Sequence, residues 1–586
     1  MRLCPQLGLT MKYKNLKTSI LTMTIALCGV AFGNRESSDV TDHRYVSNAT
    51  AKTVQEVIDD GYRMHDIEIT DAEPLRITGS FVKNKGSYAK GWWWAVDKSY
   101  DQLADFAKEH NARPIDMEVY VVNGKRKFAG TFIRNTGSDA VEWKTFDDQS
   151  FAEVETMVDK FHGRVIDIDC RVSGSTRTYS GVMIKNEGAF SKPYFYFGNR
   201  SMKEVKDLIN KHKMQLTDIE RIDDDKYAGV LEKADAGWWW QVGKTWEEMQ
   251  VSVKQFGSRV IDIESYEENG KARFDYILIN NSNALESRIG NLLRSSADGV
   301  RGFYLREVGG SLLGDLMADY QFYPASSIKT IEHAYWSYRI DKLGLSPTWQ
   351  VPVYTNDGAD THPKSDKSTN QTLQLTQQNM MFNSVNADTN ALQDAAANGD
   401  GVAGRAAIDQ FKVKVLGLDG DLKINHKFGI SGYKSANPNV GTLREFGRLY
   451  EILTNGSIFS KAGYSYFRNN MLNETRNSGL TNGLQSVVIQ EGTALGMSQA
   501  ERTAFWKTAQ FIWKPGNLIG TTYISSAAEV ELSFKNNRGG LDVHKYVVGA
   551  FVDQVSNTTF TVGSMSATVI PEVMRDEIRK AMKTWK

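Results

Sequence analysis

The sequence predicts an α+β protein built of two parts. In the first half, an Asp-apolar-acid strand recurs five times at a nearly fixed period, which predicts an array of tandem repeats. The second half has predicted strands near both of its ends and helices between them. That arrangement predicts an antiparallel sheet packed against a helical subdomain. The period stops around residues 280–283, where we place the boundary between the two parts.

The composition argues against two classes of partner. The chain has 586 residues, of which 41% are hydrophobic, and this is enough for several buried cores. Its 70 lysine and arginine residues balance its 70 aspartate and glutamate residues. A balanced chain has no net attraction to nucleic acid or to an acidic membrane face. We therefore expect no nucleic-acid partner.

The first segment, residues 1–33, has the pattern of a signal peptide. Three lysines precede an apolar run over residues 20–32, and Ala31-Phe-Gly33 supplies a small-x-small cleavage signal. The apolar run is too short to span a bilayer as a permanent helix. We expect cleavage near Gly33 and an exported protein, secreted or periplasmic, without a permanent membrane span. A lipoprotein anchored through Cys28 is the alternative.

Residues 50–283 contain the five repeats, and residues 34–49 form a polar lead. A helical segment precedes each Asp-apolar-acid strand, a second strand follows it, and an aromatic strand comes next in most repeats. The predicted unit is therefore αβββ, with each unit burying its faces on its neighbours. The pattern leaves open whether the array closes as a propeller or barrel, or stays an open arc. The anchoring aspartates are Asp66, Asp116, Asp167, Asp218 and Asp262.

Two of the aromatic strands contain Trp-Trp-Trp, at residues 92–94 and 238–240. Because side chains alternate along a strand, the outer two tryptophans share one face and the middle one takes the other. One interpretation is that both faces are packed. The other is that one face is an exposed platform for a glycan, a peptide or a protein. The strand Tyr194-Phe-Tyr-Phe197 has the same pattern with other aromatic residues, which favours packing.

Residues 284–586 form the second part of the chain. A helix over 284–296 and a strand over 302–308 open it, and a helix over 572–584 closes it. Further helices are predicted over 325–343, 372–382, 390–397 and 443–453. Late strands are predicted over 509–513, 520–526, 529–534 and 545–553.

A candidate nucleophile lies in Phe322-Tyr-Pro-Ala-Ser-Ser-Ile-Lys329, where Ser326 precedes Lys329 by three residues at a helix start. Positions i and i+3 share a helix face, so the hydroxyl and the amine would meet. A lysine amine that is kept from water can lose its charge near neutral pH and accept the serine proton. The other interpretation of Ser326 is an N-terminal helix cap. The same four-residue spacing also begins at Ser80, Ser87 and Ser431.

Two further stretches supply partners for this pair. Ser384-Val-Asn386 follows a predicted helix, and Lys514-Pro-Gly-Asn517 stands in a late strand. Ser-x-x-Lys, then Ser-x-Asn, then a lysine-glycine motif on a late strand resembles the serine β-lactamases and penicillin-binding proteins. The resemblance covers about residues 284–586 and implies a β-lactamase/transpeptidase-like fold.

The resemblance implies a chemical role for each residue of the first two motifs. Ser326 would attack a carbonyl and form an acyl-enzyme, with Lys329 as its general base. Ser384 would relay a proton to the leaving nitrogen. Asn386 would orient Lys329 and the substrate amide.

The third motif is expected to bind the substrate. Lys514 would supply positive charge near the relay serine and a substrate carboxylate. The backbone N–H groups of Ser326 and Asn517 would form the oxyanion hole, and Gly516 would let the substrate backbone approach the strand.

The sequence departs from the family pattern at three points. Val385 replaces an aspartate, and Pro515 replaces a threonine or serine that commonly binds a substrate carboxylate. Class A β-lactamases deacylate with a glutamate on a loop, yet no glutamate occurs between Asn390 and Glu445. Asn390 itself falls where such proteins often place an asparagine. A second lysine-glycine pair, Lys427-Phe-Gly429, is predicted to be a loop.

A closer resemblance is to the polyglycine hydrolases and their bacterial relatives. It rests on the signal peptide, the repeats with Gly-Trp strands, and Pro-Ala-Ser-Ser-Ile-Lys329 in a β-lactamase-like half. The resemblance implies a secreted serine endopeptidase that cuts glycine-rich linkers. One alternative is a β-lactamase or D-Ala-D-Ala peptidase that acts on β-lactams or peptidoglycan. The other is a catalytically inactive module that binds cell wall or protein.

The sequence predicts no cofactor and no metal. Its nine histidines are scattered without a His-x-x-x-His pair, and no phosphate-binding glycine loop follows a strand. The expected ligand is therefore a peptide or a peptidoglycan-like substrate.

Overall fold

The structure is a computed structural model. It describes residues 40–586 except 224, 235, 419, 430–436, 472–477, 519–522 and 557–558. The predicted signal peptide and its cleavage site lie outside the described residues. Among the described helices, none combines the length and the apolar composition needed to cross a membrane.

The first half of the chain folds into five three-stranded antiparallel sheets. Each unit consists of one strand, a helix and two further strands. Its three strands form one sheet, in which the last strand of the unit lies in the middle. The first three units are β1 (His43–Ala49), α1 (Ala51–Asp59), β2 (Tyr62–Ala72) and β3 (Leu75–Lys83); β4 (Trp92–Lys98), α2 (Tyr100–Glu109), β5 (Ala112–Val122) and β6 (Lys125–Arg134); and β7 (Trp143–Gln149), α3 (Phe151–Phe161), β8 (Gly163–Ser173) and β9 (Thr176–Lys185). The last two are β10 (Tyr194–Ser201), α4 (Met202–His212), β11 (Met214–Asp223) and β12 (Lys226–Lys233); and β13 (Trp238–Lys244), α5 (Trp246–Phe256), β14 (Ser258–Glu268) and β15 (Lys271–Asn280).

The predicted αβββ unit is therefore wrong, because it begins at the helix and assigns the aromatic strand to the preceding unit. The tryptophan strand β4 pairs with β6, which follows helix α2, and not with the strands that precede it. The unit observed is βαββ, and it begins at the aromatic strand. The same frame places β1 inside residues 34–49, so the predicted polar lead contains a strand. Strand pairing across a helix depends on tertiary contacts, which the order of elements along the chain does not reveal.

A repeated polar pattern fixes where four of the five helices of these units begin. Ser99, Ser150, Ser201 and Thr245 each cap a helix and accept a hydrogen bond from the backbone N–H three residues on. The glutamine or glutamate at that third position bonds back to the backbone of the cap. This reciprocal capping box satisfies two N–H groups that the helix leaves unpaired. Thr50 caps the first helix with its side chain alone.

The five units close into a ring. The strands that carry the anchoring aspartates contact one another in the order β2, β5, β8, β11, β14 and back to β2. At the seam, the Asn281 side chain donates to the Thr41 carbonyl at 2.9 Å and accepts from the Thr41 N–H at 3.0 Å. Tyr45 packs edge-on against Trp246 there, with ring centroids 5.4 Å apart. The sequence left the closure open, and these contacts make it a closed ring.

The anchoring aspartates join neighbouring units. The Ile67 N–H of the first unit donates to Asp116 Oδ2 of the second at 2.6 Å. The fourth and fifth units are joined in the same way. Across the seam, Asp66 accepts a hydrogen bond from the backbone of Ile263. The Asp-apolar-acid motif is thus a structural joint that fixes each unit against the next.

The acids of the five motifs interact electrostatically with one another across the units, and we call this group the carboxylate ring. Burial raises the pKa of Asp116 to about 6 and that of Asp169 to about 7. Burial, reinforced by the charges of Asp169 and Asp116, raises the pKa of Glu68 to about 8. Burial is also the main cause of the raised pKa values of the other members. The members are Asp66, Glu68, Asp116, Glu118, Asp167, Asp169, Asp218, Glu220, Asp262 and Glu264.

Replacing Glu68 with glutamine should change how the stability of the ring depends on pH. The folded-state pKa of Glu68, about 8, lies above the ordinary glutamate value of about 4.3. The protonated Glu68 side chain therefore contributes fully to the free energy of unfolding at pH values below its ordinary pKa. This contribution decreases as pH rises between the two pKa values and is lost above the folded-state pKa. The advantage of Glu68→Gln over wild type should therefore grow by roughly 1.4 kcal/mol for each pH unit between these two values, which is about 3–4 kcal/mol from pH 5 to pH 8.

Urea denaturation at the two pH values measures this difference. Glu56→Gln, on the exposed face of α1, is the matched control and should change stability equally little at both. A Glu68→Gln effect that is the same at both pH values would show that Glu68 does not titrate in the ring.

The tryptophans of β4 are packed on both faces of the strand. Trp92 and Trp94 pack against the core of the first unit. Trp93 stacks on His110, with ring centroids 4.9 Å apart. In β13, Trp239 stacks on Phe256 in the same manner at 4.8 Å. Packing therefore accounts for both faces of the strand.

The C-terminal domain is built on one five-stranded antiparallel sheet. As predicted, its strands come from both ends of the domain. They lie in the order β17, β16, β24, β23, β22, so β22 is an edge strand. The two strands predicted over 520–526 and 529–534 are observed as the single strand β23. The strands are β16 (Val300–Glu307), β17 (Leu312–Leu316), β22 (Gln510–Asn517), β23 (Ile524–Lys535) and β24 (Leu541–Asp553).

Helices pack against this sheet and form a subdomain beside it. The terminal helices α6 and α16 contact each other and the sheet, and α11 contacts the sheet as well. Trp336 of α7 is fully buried in the core that joins sheet and helices. The helices are α6 (Ala284–Ser296), α7 (Lys329–Leu343), α8 (Leu373–Phe382), α9 (Asn386–Ala396), α10 (Gly401–Lys414), α11 (Leu443–Thr454), α12 (Lys461–Asn469), α13 (Ser478–Ala494), α14 (Gln499–Trp506), α15 (Val562–Ser564) and α16 (Ile570–Lys583). Four short strands complete the domain: β18 (Gln350–Tyr354), β19 (Ser368–Thr372), β20 (Leu422–Lys423) and β21 (Val440–Gly441).

Candidate active site

A sharp turn holds Ser326 in front of helix α7. Ala325 has a φ of 43°, in the left-handed region that residues other than glycine rarely adopt. A short 3-10 turn, Ala325–Ile328, then runs directly into α7. Ala325 and Ser327 are buried, whereas Ser326 is partly exposed. The turn therefore leaves Ser326 accessible between two buried neighbours.

Lys329 begins α7 and is completely buried. Its amine donates to the Ser384 carbonyl at 2.9 Å and to Asn386 Oδ1 at 2.8 Å, and it lies 3.4 Å from Ser384 Oγ. Burial lowers the pKa of Lys329 to about 7, although the charges of Glu332 and Asp388 act in the opposite direction. At neutral pH a large fraction of this amine is therefore uncharged and able to accept a proton.

Local hydrogen bonds hold the Ser384 segment, between α8 and α9, in a strained backbone conformation. Ser384 has a φ of 56°, again in the left-handed region. The next residue, Val385, donates its N–H to the Asn379 carbonyl at 3.1 Å, and its own carbonyl accepts the Thr389 hydroxyl at 2.8 Å. Val385 thus fixes the segment through its backbone. This places Ser384 and Asn386 on either side of it against the Lys329 amine.

Strand β22 brings the third motif to the same place. Lys514 is buried, and its amine donates to the carbonyls of Met380 and Met381 at 3.4 and 3.1 Å. Its own carbonyl accepts the Ser327 hydroxyl at 2.8 Å, which ties the nucleophile turn to the strand. A Cβ added at Gly516 would lie 2.5 Å from the Ser326 backbone nitrogen. Only glycine lets the strand approach the turn this closely.

A cavity of about 100 Å³ joins these elements. It is small, and much of its wall is apolar. Five of the residues predicted from sequence line it: Ser326, Ser384, Lys514, Gly516 and Asn517. Of the other two, Lys329 donates hydrogen bonds to both Ser384 and Asn386, which links Asn386 to the same group. The structure therefore brings all seven together at one site. Its remaining lining residues are Met381, Phe382, Met471, Trp513, Pro515 and Val562.

The predicted loop Lys427-Phe-Gly429 contributes to the site, which sequence reasoning missed. The Phe428 ring lies against the Lys329 amine, 4.9 Å from ring centroid to nitrogen. Asn390 holds Phe428 by two hydrogen bonds to its backbone, at 2.8 and 2.9 Å. Asn390 was noted in the sequence for its place after Ser-x-Asn, but no pattern linked it to a residue 38 positions later. Ser431, with its lysine three residues on, lies outside the described residues.

Glu332 is a second buried group that the sequence did not single out. It lies three residues after Lys329 on α7 and is fully buried. One of its carboxyl oxygens accepts a hydrogen bond from the Gln393 side chain at 2.9 Å. Burial raises the pKa of Glu332 to about 8. An ionisable residue on the apolar side of a helix was the available signal.

The described residues contain no group of three or more histidine, cysteine, aspartate or glutamate side chains arranged to hold a metal ion. The polar groups that converge on the cavity are instead hydroxyls, amines and an amide. Such a set suits proton transfer and attack on a carbonyl group.

The C-terminal half of the chain is similar to known proteins. Residues 284–569 match the model of a family described as the β-lactamase enzyme family. The C-terminal domain is therefore β-lactamase-like, and the match supports a serine hydrolase in general. No protein with a curated description matches the chain.

Solved structures similar to the chain include two β-lactamases and the protein PBP-A. The β-lactamase from Burkholderia vietnamiensis is 17% identical, with a TM-score of 0.37, and the match covers 51% of this chain and 96% of that one. The β-lactamase from Chitinophaga pinensis is 16% identical, with a TM-score of 0.37, and the match covers 50% of this chain and 99% of that one. The protein PBP-A is 17% identical, with a TM-score of 0.37, and the match covers 51% of this chain and 96% of that one.

Replacing Gly516 with alanine should separate β22 from the nucleophile turn. The new methyl group would meet the backbone nitrogens of Ser326 and Ser327 at 2.5 and 2.7 Å, and backbone cannot move aside cheaply. We expect a loss of stability of about 1–3 kcal/mol and a fall of at least about tenfold in the rate at which an acylating probe labels Ser326.

Labelling by a fluorophosphonate, followed by mass spectrometry, measures this rate, and urea denaturation measures the stability. Gly479→Ala in α13 is the control, since its methyl group would meet its nearest atom at 3.9 Å. Unchanged labelling by Gly516→Ala would show that the close approach of β22 is not required.

Proposed function

We propose that the protein is a secreted serine endopeptidase that cleaves glycine-rich peptides through an acyl-enzyme on Ser326. The observation that carries this proposal is the buried Lys329 amine, which bonds to Ser384 and Asn386, while Ser384 lines the same cavity as the partly exposed Ser326. No ion pair among the described residues includes Lys329 as a partner, so its charge is not held by a carboxylate. A lysine in this environment is suited to act as a general base.

The reaction proceeds in two steps. The Lys329 amine takes the Ser326 hydroxyl proton while Oγ attacks the substrate carbonyl carbon. The N–H groups of Ser326 and Asn517 stabilise the oxyanion. The proton then passes through Ser384 to the leaving nitrogen, the C–N bond breaks, and an ester remains on Ser326. Water gives a proton to Lys329 as it attacks this ester; the bond to Ser326 Oγ then breaks, Lys329 returns the proton to Oγ, and the acid is released.

Two features of the cleft favour an internal peptide bond as the substrate. Pro515 lacks the hydroxyl that commonly binds a substrate carboxylate in proteins of this kind. The Lys514 amine is buried and bonded to two backbone carbonyls, which leaves it poorly placed to hold a terminal carboxylate. An extended chain could instead pair with the edge strand β22. The small cavity favours residues with little or no side chain, of which glycine is the smallest.

A β-lactamase or D-Ala-D-Ala peptidase is the second candidate, and the family match supports it equally. All of these enzymes would acylate the same serine, so the substrate distinguishes them. A β-lactamase must also hydrolyse its acyl-enzyme rapidly. The absence of a glutamate between Asn390 and Glu445 argues against the class A route to that step.

Paired assays with a glycine-rich linker peptide and with nitrocefin should separate the two candidates. We expect cleavage of the peptide at internal glycine bonds, read by mass spectrometry, and slow or no turnover of nitrocefin. Ser326→Ala and Lys329→Ala should each lower peptide cleavage by about a thousandfold or more.

Ser87→Ala is the matched control, because Ser87 begins another Ser-x-x-Lys pattern in the connection between the first two units of the ring. It should cleave at the wild-type rate. Rapid nitrocefin turnover with an intact peptide would replace the proposal by its second candidate. Cleavage by Ser326→Ala at the wild-type rate would remove Ser326 from the mechanism.

We also propose that the chain is exported and cleaved near Gly33. The lysine-rich start, the apolar run and the small-x-small signal support this proposal. N-terminal sequencing of the protein recovered from the culture medium would identify the first residue of the mature chain.

A further inference from the structure

The Lys329 amine is bounded on one side by the Phe428 ring. The nitrogen lies 4.9 Å from the ring centroid. Phe428 is itself buried, with 7% of its surface exposed. An aromatic ring in this position offers neither a lone pair nor a proton, and it occupies space that water would otherwise fill.

The backbone around Phe428 is held in place on both sides. Asn390 accepts a hydrogen bond from the Phe428 N–H and donates one to its carbonyl. Lys427 is buried and forms an ion pair with Asp394, at 2.7 Å. Gly429 lies so close to Asn386 that an added Cβ would be 3.0 Å from its side-chain nitrogen. The ring therefore has little freedom to move away from the amine.

The charged groups near Lys329 do not explain why it loses its proton. Glu332 on α7 and Asp388 on α9 both favour the charged amine. Lys514, on β22, lines the same site, but its own amine is bonded to the carbonyls of Met380 and Met381. Burial is the main cause that lowers the pKa of Lys329, so exclusion of water must outweigh the effect of these two acidic residues.

We propose that Phe428 is the positioning residue that keeps the Lys329 amine dry and thereby able to accept the Ser326 proton. This inference rests on the proposed acylation of Ser326. The ring also attracts a lysine cation through its π face, which favours the charged amine. The two effects of the ring are opposed, and water exclusion is the larger of them. The two effects can be separated by side chains that keep the bulk without the π face.

The test compares Phe428→Ala with Phe428→Leu in the full chain. Both remove the π face, but leucine keeps an apolar side chain over the amine and alanine admits water. The rate of Ser326 labelling by a fluorophosphonate is measured as a function of pH, with the labelled residue identified by mass spectrometry. Wild type should reach its half-maximal rate near the pKa of Lys329, about 7.

We expect the half-maximal pH of Phe428→Ala to rise by about one unit or more, with the maximal rate at high pH retained within a few-fold. Phe428→Leu should stay near the wild-type midpoint or fall slightly below it. A Phe428→Ala profile that superposes on wild type would overturn the inference, as would an equal rise in Phe428→Leu. A purely structural loss would lower the rate at every pH without moving the midpoint.

A second variant keeps the test decisive if Phe428→Ala does not fold. Asn390→Ala leaves the ring intact but removes its two backbone hydrogen bonds. We expect its midpoint to rise as well, by a smaller amount, and an unchanged midpoint would contradict the role of the clamp. Failure of the proposed function would look different, because wild type itself would then show no labelling of Ser326 at any pH.

Discussion

The candidate site depends on burying the Lys329 amine without giving it a carboxylate partner. Its hydrogen-bond partners are a carbonyl, a hydroxyl and an amide oxygen, all neutral. Neutral acceptors position the amine. An ion pair with a carboxylate would in addition stabilise its charged form. The sharp turn at Ser326, the strained Ser384 segment and the glycine in β22 all serve to bring other groups to this one nitrogen.

The same physical problem is solved differently in the ring. There, the ten acidic side chains of the carboxylate ring lie together, and burial raises their pKa values. Backbone N–H groups of the neighbouring unit partly compensate for the buried carboxyl groups. In the ring, buried ionisable groups join repeated units together. In the C-terminal domain, burial lowers the pKa of one lysine, Lys329.

The order of short motifs along the chain predicted which residues converge, while their chemical roles stay predictions. Ser326, Ser384 and Lys514 lie far apart in sequence, and the structure places them around one cavity as the resemblance implied. Phe428 could not be predicted, because its role depends on a contact with Lys329 that no spacing reveals. Asn390, which holds it, could be located in the sequence but not given a partner.

The repeats were found from their period, yet their frame was wrong. The periodic aspartates mark the joints between units, as the bond from Ile67 to Asp116 shows. A period has no intrinsic starting point, so it could not show that each aromatic strand pairs beyond the next helix. Closure was also out of reach, because the contact between Asn281 and Thr41 spans the whole array.

The most direct measurement is the titration of the Lys329 amine itself. Nitrogen NMR of protein labelled at its lysine side chains, with Lys329→Met to assign the signal, follows this one group as pH changes. A midpoint near 7 is the expected result, because burial without a carboxylate partner disfavours the charged amine. A midpoint near the ordinary lysine value of about 10.4 would contradict the role of Lys329 as a base at neutral pH.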